Sequence, residues 1–184
     1  MKIDITLKIT SEILESQTKN VDSSLQGHLG THFDVMNKEF PLDYTARTAV
    51  VFDVSGVTDR DIDITDVNFD KITRDTFVAF YTGYYNSTPY GSREYFKNHP
   101  QLSFALIDAL LEKGVSIIGV DFAGIRRGKE HTPTDQKCAD KNVFVVENLR
   151  NLDSLLDAEN ITIHTYPMSL ENLSGLPCRV IAEI

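Results

Sequence analysis

Two histidines and one carboxylate lie close together in the stretch from Gly27 to Val35, which reads Gly-His-Leu-Gly-Thr-His-Phe-Asp-Val. Imidazole and carboxylate are the usual ligands of divalent metals such as zinc and manganese. Two glycines and a threonine disfavour a helix here, whereas alternate residues of a strand share one face. A strand would therefore point His28, His32 and Asp34 into one cavity. The alternative is structural, because short motifs of this kind also arise by chance.

The size and charge of the whole chain limit its class. A length of 184 residues suits one domain, 1–184, that can bury a sizeable core. Hydrophobic residues make up 41% of the chain and charged residues 24%, which is typical of a globular protein. The formal net charge of -9 disfavours nucleic acid and anionic membranes as partners, because both bind basic surfaces.

The cysteines and the first residues point to the cytoplasm. Cys138 and Cys178 form neither a CxxC pair nor a disulfide framework. The start of the chain, Met1 to Ile5, has no basic region followed by an apolar run, so it does not read as a signal peptide. No apolar run approaches the length of a membrane span. We therefore expect a cytoplasmic protein.

Hydrophobic periodicity predicts more strand than helix. The predicted strands are residues 2–9, Gly27–Val35, Thr48–Val54, Thr76–Thr82, Val115–Val120, Val143–Val146, Ile161–Tyr166 and Cys178–Ile184, of which Thr48–Val54 and the next three read as buried on both faces. The predicted helices are Ser92–His99, Leu102–Lys113 ending at Gly114, and Leu152–Leu156, with Ser11–Asp22 either a short helix or a loop. Met36–Arg47 and the long polar Asp121–Lys141 read as loops. This pattern predicts a mixed α/β (α+β) fold.

The chain resembles the cyclase family of metal-dependent hydrolases, which includes bacterial kynurenine formamidases. The family's hallmark is His-x-Gly-Thr-His-x-Asp-x-Pro-x-x-x-His, and its first part is intact from His28 to Asp34. Further blocks that look like the family follow in the expected order, so the resemblance spans nearly the whole chain. They are Ala49–Gly56, Tyr81–Gly83, Tyr95–Pro100, Glu112–Val115 with Gly119–Asp121, Val145–Leu149, Tyr166–Met168 and Leu176–Ala182.

The resemblance implies a fold and a chemistry. The fold would be the swivelling β/β/α barrel-like fold of that family, assembled as a homodimer or homotetramer. The site would hold one or two divalent metals, zinc or manganese, that activate a water for attack on an amide or ester carbonyl. By the same resemblance, His28, His32 and Asp34 match metal ligands, and Glu147 matches the family's downstream carboxylate ligand.

The sequence departs from the family at two histidine positions. Lys38 stands four residues after Asp34, and Asp135 stands twelve residues before Glu147, where the family has histidines. A protonated lysine is not a metal ligand, so we expect Lys38 to pair with Asp34 or Glu147 and to occupy the place of a second metal. Asp135 remains a metal ligand but favours harder ions such as manganese over zinc.

These departures lead to a specific expectation. One metal per chain, zinc or manganese, would be held by some of five residues, with Glu147 and Lys38 as catalytic groups. The five residues are His28, His32, Asp34, Asp135 and Glu147. In the competing interpretation, Lys38 is a surface residue and His131, four residues before Asp135, replaces a lost histidine.

Other histidines and the cysteine nearest the site are interpreted as structural. His99 and His164 have no motif partner, and acidic neighbours raise the thiol pKa of Cys138, so we do not expect it to act as a nucleophile. The leading hypothesis is a metal-dependent hydrolase of a small amide or ester, an aryl-formamide being one candidate substrate. The alternative is a catalytically reduced or inactive protein of the same fold that binds a metal or a small molecule.

Overall fold

The computed structural model describes residues 1–18 and 27–184. The helices are α1 (Ser11–Thr18), α2 (Tyr84–Ser87), α3 (Arg93–Asn98), α4 (Phe104–Lys113) and α5 (His131–Asp140), with short 3-10 turns at Leu42–Thr45, Ile64–Asp66, Phe69–Lys71, Gly128–Glu130 and Leu152–Leu155. The strands are β1 (Lys2–Asp4), β2 (His32–Asp34), β3 (Ala46–Asp53), β4 (Phe77–Tyr81), β5 (Ile117–Val120), β6 (Phe144–Glu147), β7 (Ile161–Pro167) and β8 (Gly175–Glu183). No helix in these ranges is both long enough and apolar enough to cross a membrane.

Seven strands close into a mixed barrel. They follow the order β8-β2-β6-β5-β4-β3-β7, and the pairing of β7 with β8 closes the ring. The short β1 pairs antiparallel with the C-terminal part of β8, at residues 181–183. Neighbours from β3 to β6 are parallel, whereas β2 is antiparallel to both β6 and β8. The predicted mixed α/β barrel-like fold is thus confirmed.

Alternating side chains of the strands form two apolar clusters. Phe77 and Ala79 of β4 belong to the cluster inside the barrel, together with side chains from β7 and β8. Val78 and Phe80 belong to the second cluster, which includes the buried face of α4. Period-two alternation therefore divides each parallel strand between the barrel interior and the helix layer. Side chains of β2 and β6 that face away from the interior point toward α5.

Most predicted elements are confirmed within a few residues. Ser92 caps α3 by accepting a hydrogen bond from the Tyr95 backbone N–H (3.0 Å). Gly114 ends α4 with a φ of 74°, a left-handed conformation that glycine adopts without steric cost. The strand predicted at Cys178 begins earlier, at Gly175. The Ser11–Asp22 segment is helical as far as Thr18, and its remaining residues lie outside the described part of the chain.

Three predictions for the first half of the chain differ from the structure. The first strand ends at Asp4, because its carboxylate accepts a hydrogen bond from the Thr6 backbone N–H (3.1 Å) and so turns the chain. The predicted burial of β3 on both faces is wrong, since most of its side chains are only half-buried or exposed. The loop predicted over Met36–Arg47 contains a 3-10 turn and the first residues of β3.

The loop prediction for Asp121–Lys141 is wrong. Most of its second half is helix α5, in which Pro133 lies in the first turn, where a missing backbone N–H breaks no hydrogen bond. The buried face of α5 carries Thr134, Asp135, Cys138 and Ala139. Because two of these four side chains are polar, hydrophobic periodicity does not reveal the helix.

Candidate metal centre

Strands β2 and β6 place three of the candidate residues side by side. His32 is the direct cross-strand partner of Glu147, and Asp34 lies two residues further along β2. The intervening Phe33 belongs to the barrel interior, so His32, Asp34 and Glu147 share the opposite face. All three are buried, and His32 Nε2 lies 3.7 Å from Asp34 Oδ1 and 3.6 Å from Glu147 Oε2.

His28 reaches the same site through a turn. The strand predicted over Gly27–Val35 is only His32–Asp34, because Gly27 and Gly30 have φ values of 98° and 70°, which a strand does not allow. The turn nevertheless brings His28 Nε2 to 3.2 Å from Asp34 Oδ1. The expected convergence of the two histidines and Asp34 is therefore present, with a different backbone from the predicted one.

Helix α5 supplies two further side chains from the other side. His131 and Asp135 lie one turn apart on the same helix face, and His131 Nε2 is 3.2 Å from Asp135 Oδ2. The same nitrogen lies 3.6 Å from Glu147 Oε1 and 4.0 Å from Asp34 Oδ2. His131 is thus the centre of a second group of carboxylates that includes Asp34.

Backbone carbonyl groups fix the orientation of two imidazoles. His32 Nδ1 lies 2.9 Å from the Gly30 carbonyl oxygen, and His131 Nδ1 lies 3.2 Å from the Arg126 carbonyl oxygen. A carbonyl oxygen can only accept, so Nδ1 carries the proton in both rings. In the neutral rings Nε2 is then the lone-pair nitrogen, and in both it faces the carboxylates.

The electrostatics of the site reflect crowded, buried carboxylates. Burial raises the pKa of Glu147 well above its usual range, and the charges of Asp34 and Asp135 add to the increase. Burial and the charge of Asp34 likewise raise the pKa of Asp135. Burial alone would also raise the pKa of Asp34, but the hydrogen bond from His28 and the charge of His32 bring it below its usual value. Burial lowers the pKa of His32.

Several carboxylate oxygens of this site have no hydrogen-bond partner among the described residues. They are Asp34 Oδ2, Glu147 Oε1 and both oxygens of Asp135, and all are buried. A buried polar atom without a partner costs free energy, and a cation between such oxygens removes that cost. Two groups offer ligand atoms that lie within 4.8 Å of one another, His28 with His32 and Asp34, and Asp34 with His131 and Asp135. The side chains present therefore fit a divalent metal, and Asp34 belongs to both groups.

Two glycines that the sequence analysis did not single out make room for the imidazoles. A Cβ atom at Gly175 would lie 2.7 Å from three ring atoms of His28. A Cβ atom at Gly124, whose φ is 104°, would lie 2.5 Å from the ring of His131. A Cβ atom essentially never comes this close to another heavy atom without a shift, so both rings depend on the absence of a side chain. The spacing of these glycines along the chain gives no indication of this role.

The expected ion pair of Lys38 with Asp34 or Glu147 is wrong. Lys38 Nζ lies 2.9 Å from Asp140 Oδ1 at the surface, where Lys38 is half-buried and Asp140 is exposed. The chain turns away from the site at Met36, which has a φ of 57°. An exposed ammonium keeps its hydration, whereas burial beside the site would remove it. The competing interpretation, with Lys38 at the surface and His131 in the site, matches the structure.

We expect the substitution Lys38→Gln to leave metal binding nearly unchanged. Exposed ion pairs contribute little, so the dissociation constant for the metal should change by no more than about twofold. The measurement is a competition titration with a chromophoric chelator. A tenfold or larger loss of affinity would contradict this expectation and show that Lys38 acts on the metal centre.

The remaining histidines and Cys138 have structural contacts. His164 contacts Glu183 (3.1 Å), and His99 stacks on Phe122 with ring centroids 5.6 Å apart. Cys138 is buried, and its pKa is raised by burial and then by the charge of Asp135. The thiol therefore stays protonated near neutral pH, which agrees with the interpretation of Cys138 as structural.

His99 should make the stability of the metal-free protein depend on pH. His99 is 1% exposed, and burial lowers its pKa from 6.5 to about 4. The unfolded chain therefore binds an extra proton between these values, so stability is present above pH 6.5 and falls as pH decreases toward 4. The loss should reach up to about 3 kcal/mol, and His99→Gln should reduce it. Denaturant unfolding of both proteins between pH 4 and pH 6.5, with chelator present, measures the free energy of unfolding at each pH. An equal dependence of this free energy on pH in the two proteins would contradict the prediction.

Two comparisons with known sequences give one match. A family model described as "Putative cyclase" matches residues 3–126, a range that includes His28, His32 and Asp34. A search of curated proteins finds no match.

Solved structures share the fold over nearly the full chain. One is a potential metal-dependent hydrolase with cyclase activity, with 22% identity and a TM-score of 0.73 over 99% of this chain and 96% of that one. A second is a predicted metal-dependent hydrolase from Bacillus stearothermophilus, with 21% identity and a TM-score of 0.73 over 99% and 97% of the two chains. A third is isatin hydrolase A from Ralstonia solanacearum, with 18% identity and a TM-score of 0.72 over 99% and 91%.

Proposed function

Because the chain belongs to the cyclase family, we propose that it is a metal-dependent hydrolase that cleaves a small amide or ester. The observation that carries this proposal is a set of buried carboxylate oxygens without hydrogen-bond partners among the described residues, three of which lie within 4.0 Å of His131 Nε2. Hydrolases of the same fold, including isatin hydrolase A, support the reaction class. The acidic chain, with its net charge of -9, is consistent with a small-molecule substrate.

The site residues divide into two groups with different donor sets. We propose that His28, His32 and Asp34 hold the more tightly bound ion, since two imidazoles suit zinc. Asp34, His131 and Asp135 form a second position richer in oxygen, which favours a harder ion such as manganese. The expectation of one metal per chain is thereby refined to one tightly held ion and a weaker second position.

The protein's own side chains supply orientation and proton transfer. When bound, a divalent cation lowers the pKa of water and polarises a carbonyl group. Glu147 lies between the two groups, with one carboxylate oxygen 3.6 Å from His32 Nε2 and the other 3.6 Å from His131 Nε2. Glu147 is therefore the residue proposed to move the proton during hydrolysis. The Asp34 carboxylate lies within 4.0 Å of His28 and His32 in the first group and of His131 in the second.

Metal content and hydrolysis test the proposal together. Protein purified without chelator, and again after loading with zinc or manganese, is analysed for metal per chain. The loaded protein is then assayed with a panel of aryl-formamides, cyclic amides and esters, with chelator-treated protein as the control. We expect about one ion to be retained and hydrolysis to depend on it. Retained metal without turnover of any class would instead support the catalytically reduced alternative, and no retained metal after either loading would overturn the proposal.

The variant His131→Ala separates the two positions. It removes the only imidazole of the second group and leaves the first group complete. We expect a metal titration of this variant to keep the tight phase and to lose the weak one. Loss of the tight phase would show that His131 belongs to the first site instead.

Two further expectations stay predictions. They are the assembly into a homodimer or homotetramer and the location in the cytoplasm. Analytical ultracentrifugation of the metal-loaded protein measures the first.

A further inference from the structure

The carbonyl oxygen of Gly30 is shared by two buried donors. It accepts from His32 Nδ1 (2.9 Å) and from the side-chain amide Nδ2 of Asn148 (2.9 Å). A carbonyl oxygen has two lone pairs, so both bonds can form at once. The peptide plane of Gly30 is thereby fixed by a residue outside the loop that carries His28 and His32.

Asn148 also accepts hydrogen bonds at its side-chain oxygen and its backbone carbonyl. Its Oδ1 accepts from the Tyr95 hydroxyl (2.8 Å), and its backbone carbonyl accepts from the Thr31 hydroxyl (2.8 Å). Asn148 is 2% exposed and Tyr95 is fully buried. The amide orientation is determined chemically, because the Gly30 carbonyl can only accept and must face the amide nitrogen. Asn148 also has a φ of 60°, a left-handed conformation that asparagine tolerates better than most residues.

We infer that Asn148 and Tyr95 are positioning residues that hold His32 in the Nδ1–H tautomer, with Nε2 as its metal-facing lone pair. This support matters because His32 can also adopt a second tautomer, in which Nε2 carries the proton. In the metal-free protein, Nε2 of His32 lies near the carboxylates of Asp34 and Glu147, which would attract a proton to that nitrogen. A fixed Gly30 carbonyl provides the opposing acceptor for Nδ1. The importance for metal binding rests on the proposed function, whereas the tautomer itself does not.

Two variants remove this support without removing a site residue. Asn148→Gly deletes the side chain and keeps a residue that readily adopts positive φ. Tyr95→Phe deletes only the hydroxyl that donates to Asn148. Matched controls are Asn160→Gly, at an exposed asparagine with a φ of 57°, and Tyr84→Phe, whose hydroxyl donates to the Glu94 carbonyl at the surface.

The deciding measurement is imidazole ¹⁵N NMR of the metal-free protein at a pH where the rings are neutral, with circular dichroism to verify folding. We expect the Nδ1–H population of His32 to fall in Asn148→Gly, to fall less in Tyr95→Phe, and to stay unchanged in both controls. Unchanged His32 tautomer populations in both folded variants would overturn the inference.

A second readout connects the tautomer to the proposed function. Outer hydrogen-bond partners of metal ligands typically contribute about 10–100-fold in affinity, so Asn148→Gly should weaken metal binding by about tenfold or more. A wild-type protein that binds no metal would defeat the proposed function, while the NMR result would still decide the role of Asn148. A tautomer shift without any change in the affinity of a metal-binding protein would overturn the link to metal binding.

Discussion

The variant Asp34→Asn should lose metal from both positions at once. Asp34 belongs to both groups of candidate ligands, and its Oδ1 lies 3.2 Å from His28 Nε2. Asparagine keeps the size of the side chain but replaces an anion by a neutral amide that also presents two donors. Even outer partners of metal sites contribute about 10–100-fold, so removal of this shared carboxylate should weaken metal binding by more than about 100-fold.

Elemental analysis after loading, together with a competition titration, measures this loss. Asp43→Asn is the matched control, because it makes the same substitution at an exposed position away from the site. Unfolding in the presence of chelator separates metal binding from folding, and we expect both variants to unfold cooperatively. Hydrolysis should decrease in proportion to the metal lost. Retention of one tightly bound ion by Asp34→Asn would show that the two groups do not share this residue.

Local sequence signals predicted most strands of the barrel, because several of them are nearly continuous apolar runs. The runs that became β4, β5 and β6 are almost entirely apolar, which is typical of parallel strands covered on both faces. Helix α4 was equally predictable, since its apolar spacing and Gly114 follow the usual rules for a helix and its end. Closure of the barrel through β7 and β8 depends on long-range pairing, and only the resemblance to a family anticipated it.

Helix α5 could not be predicted by the same rules. Its buried face contacts the candidate metal centre, so Thr134 and Asp135 occupy positions where a core helix has apolar residues. The pattern that identifies an amphipathic helix is therefore weakest where the helix carries the site. The helix also explains why the side chains of His131 and Asp135 lie next to each other, since residues four apart on a helix share a face.

The position of Lys38 illustrates a second limit of the sequence. Alignment with a motif places Lys38 where the family has a histidine, but motif spacing does not determine where a loop turns. Met36 takes a left-handed φ of 57°, and two residues later Lys38 pairs with Asp140. A histidine from α5 instead contacts the carboxylates.

The variant Gly175→Ala should weaken metal binding although it changes no ligand. Gly175 is the cross-strand partner of Asp34 in β8, so a side chain there would lie beside the Asp34 carboxylate. The ring of His28 already fills that volume, and a Cβ atom would lie 2.7 Å from its Nε2, Cδ2 and Cε1. The ring must therefore move, and it cannot keep its contact of 3.2 Å with Asp34 Oδ1. We expect a loss of affinity of about 10–100-fold, the range found when the support of a metal ligand is removed.

A double-mutant cycle shows whether Gly175 acts through His28. His28→Ala alone should weaken binding, and adding Gly175→Ala to it should have almost no further effect, because the displaced ring is already absent. Gly56→Ala is the matched control, since a Cβ atom there meets nothing within 4 Å and should leave the affinity unchanged. Two fully additive losses would mean that the alanine distorts the pairing of β8 with β2 rather than the position of His28. In that case Gly175 would be needed for the strand pairing of the barrel. The position of the His28 ring would then depend on other residues of the turn that begins at Gly27.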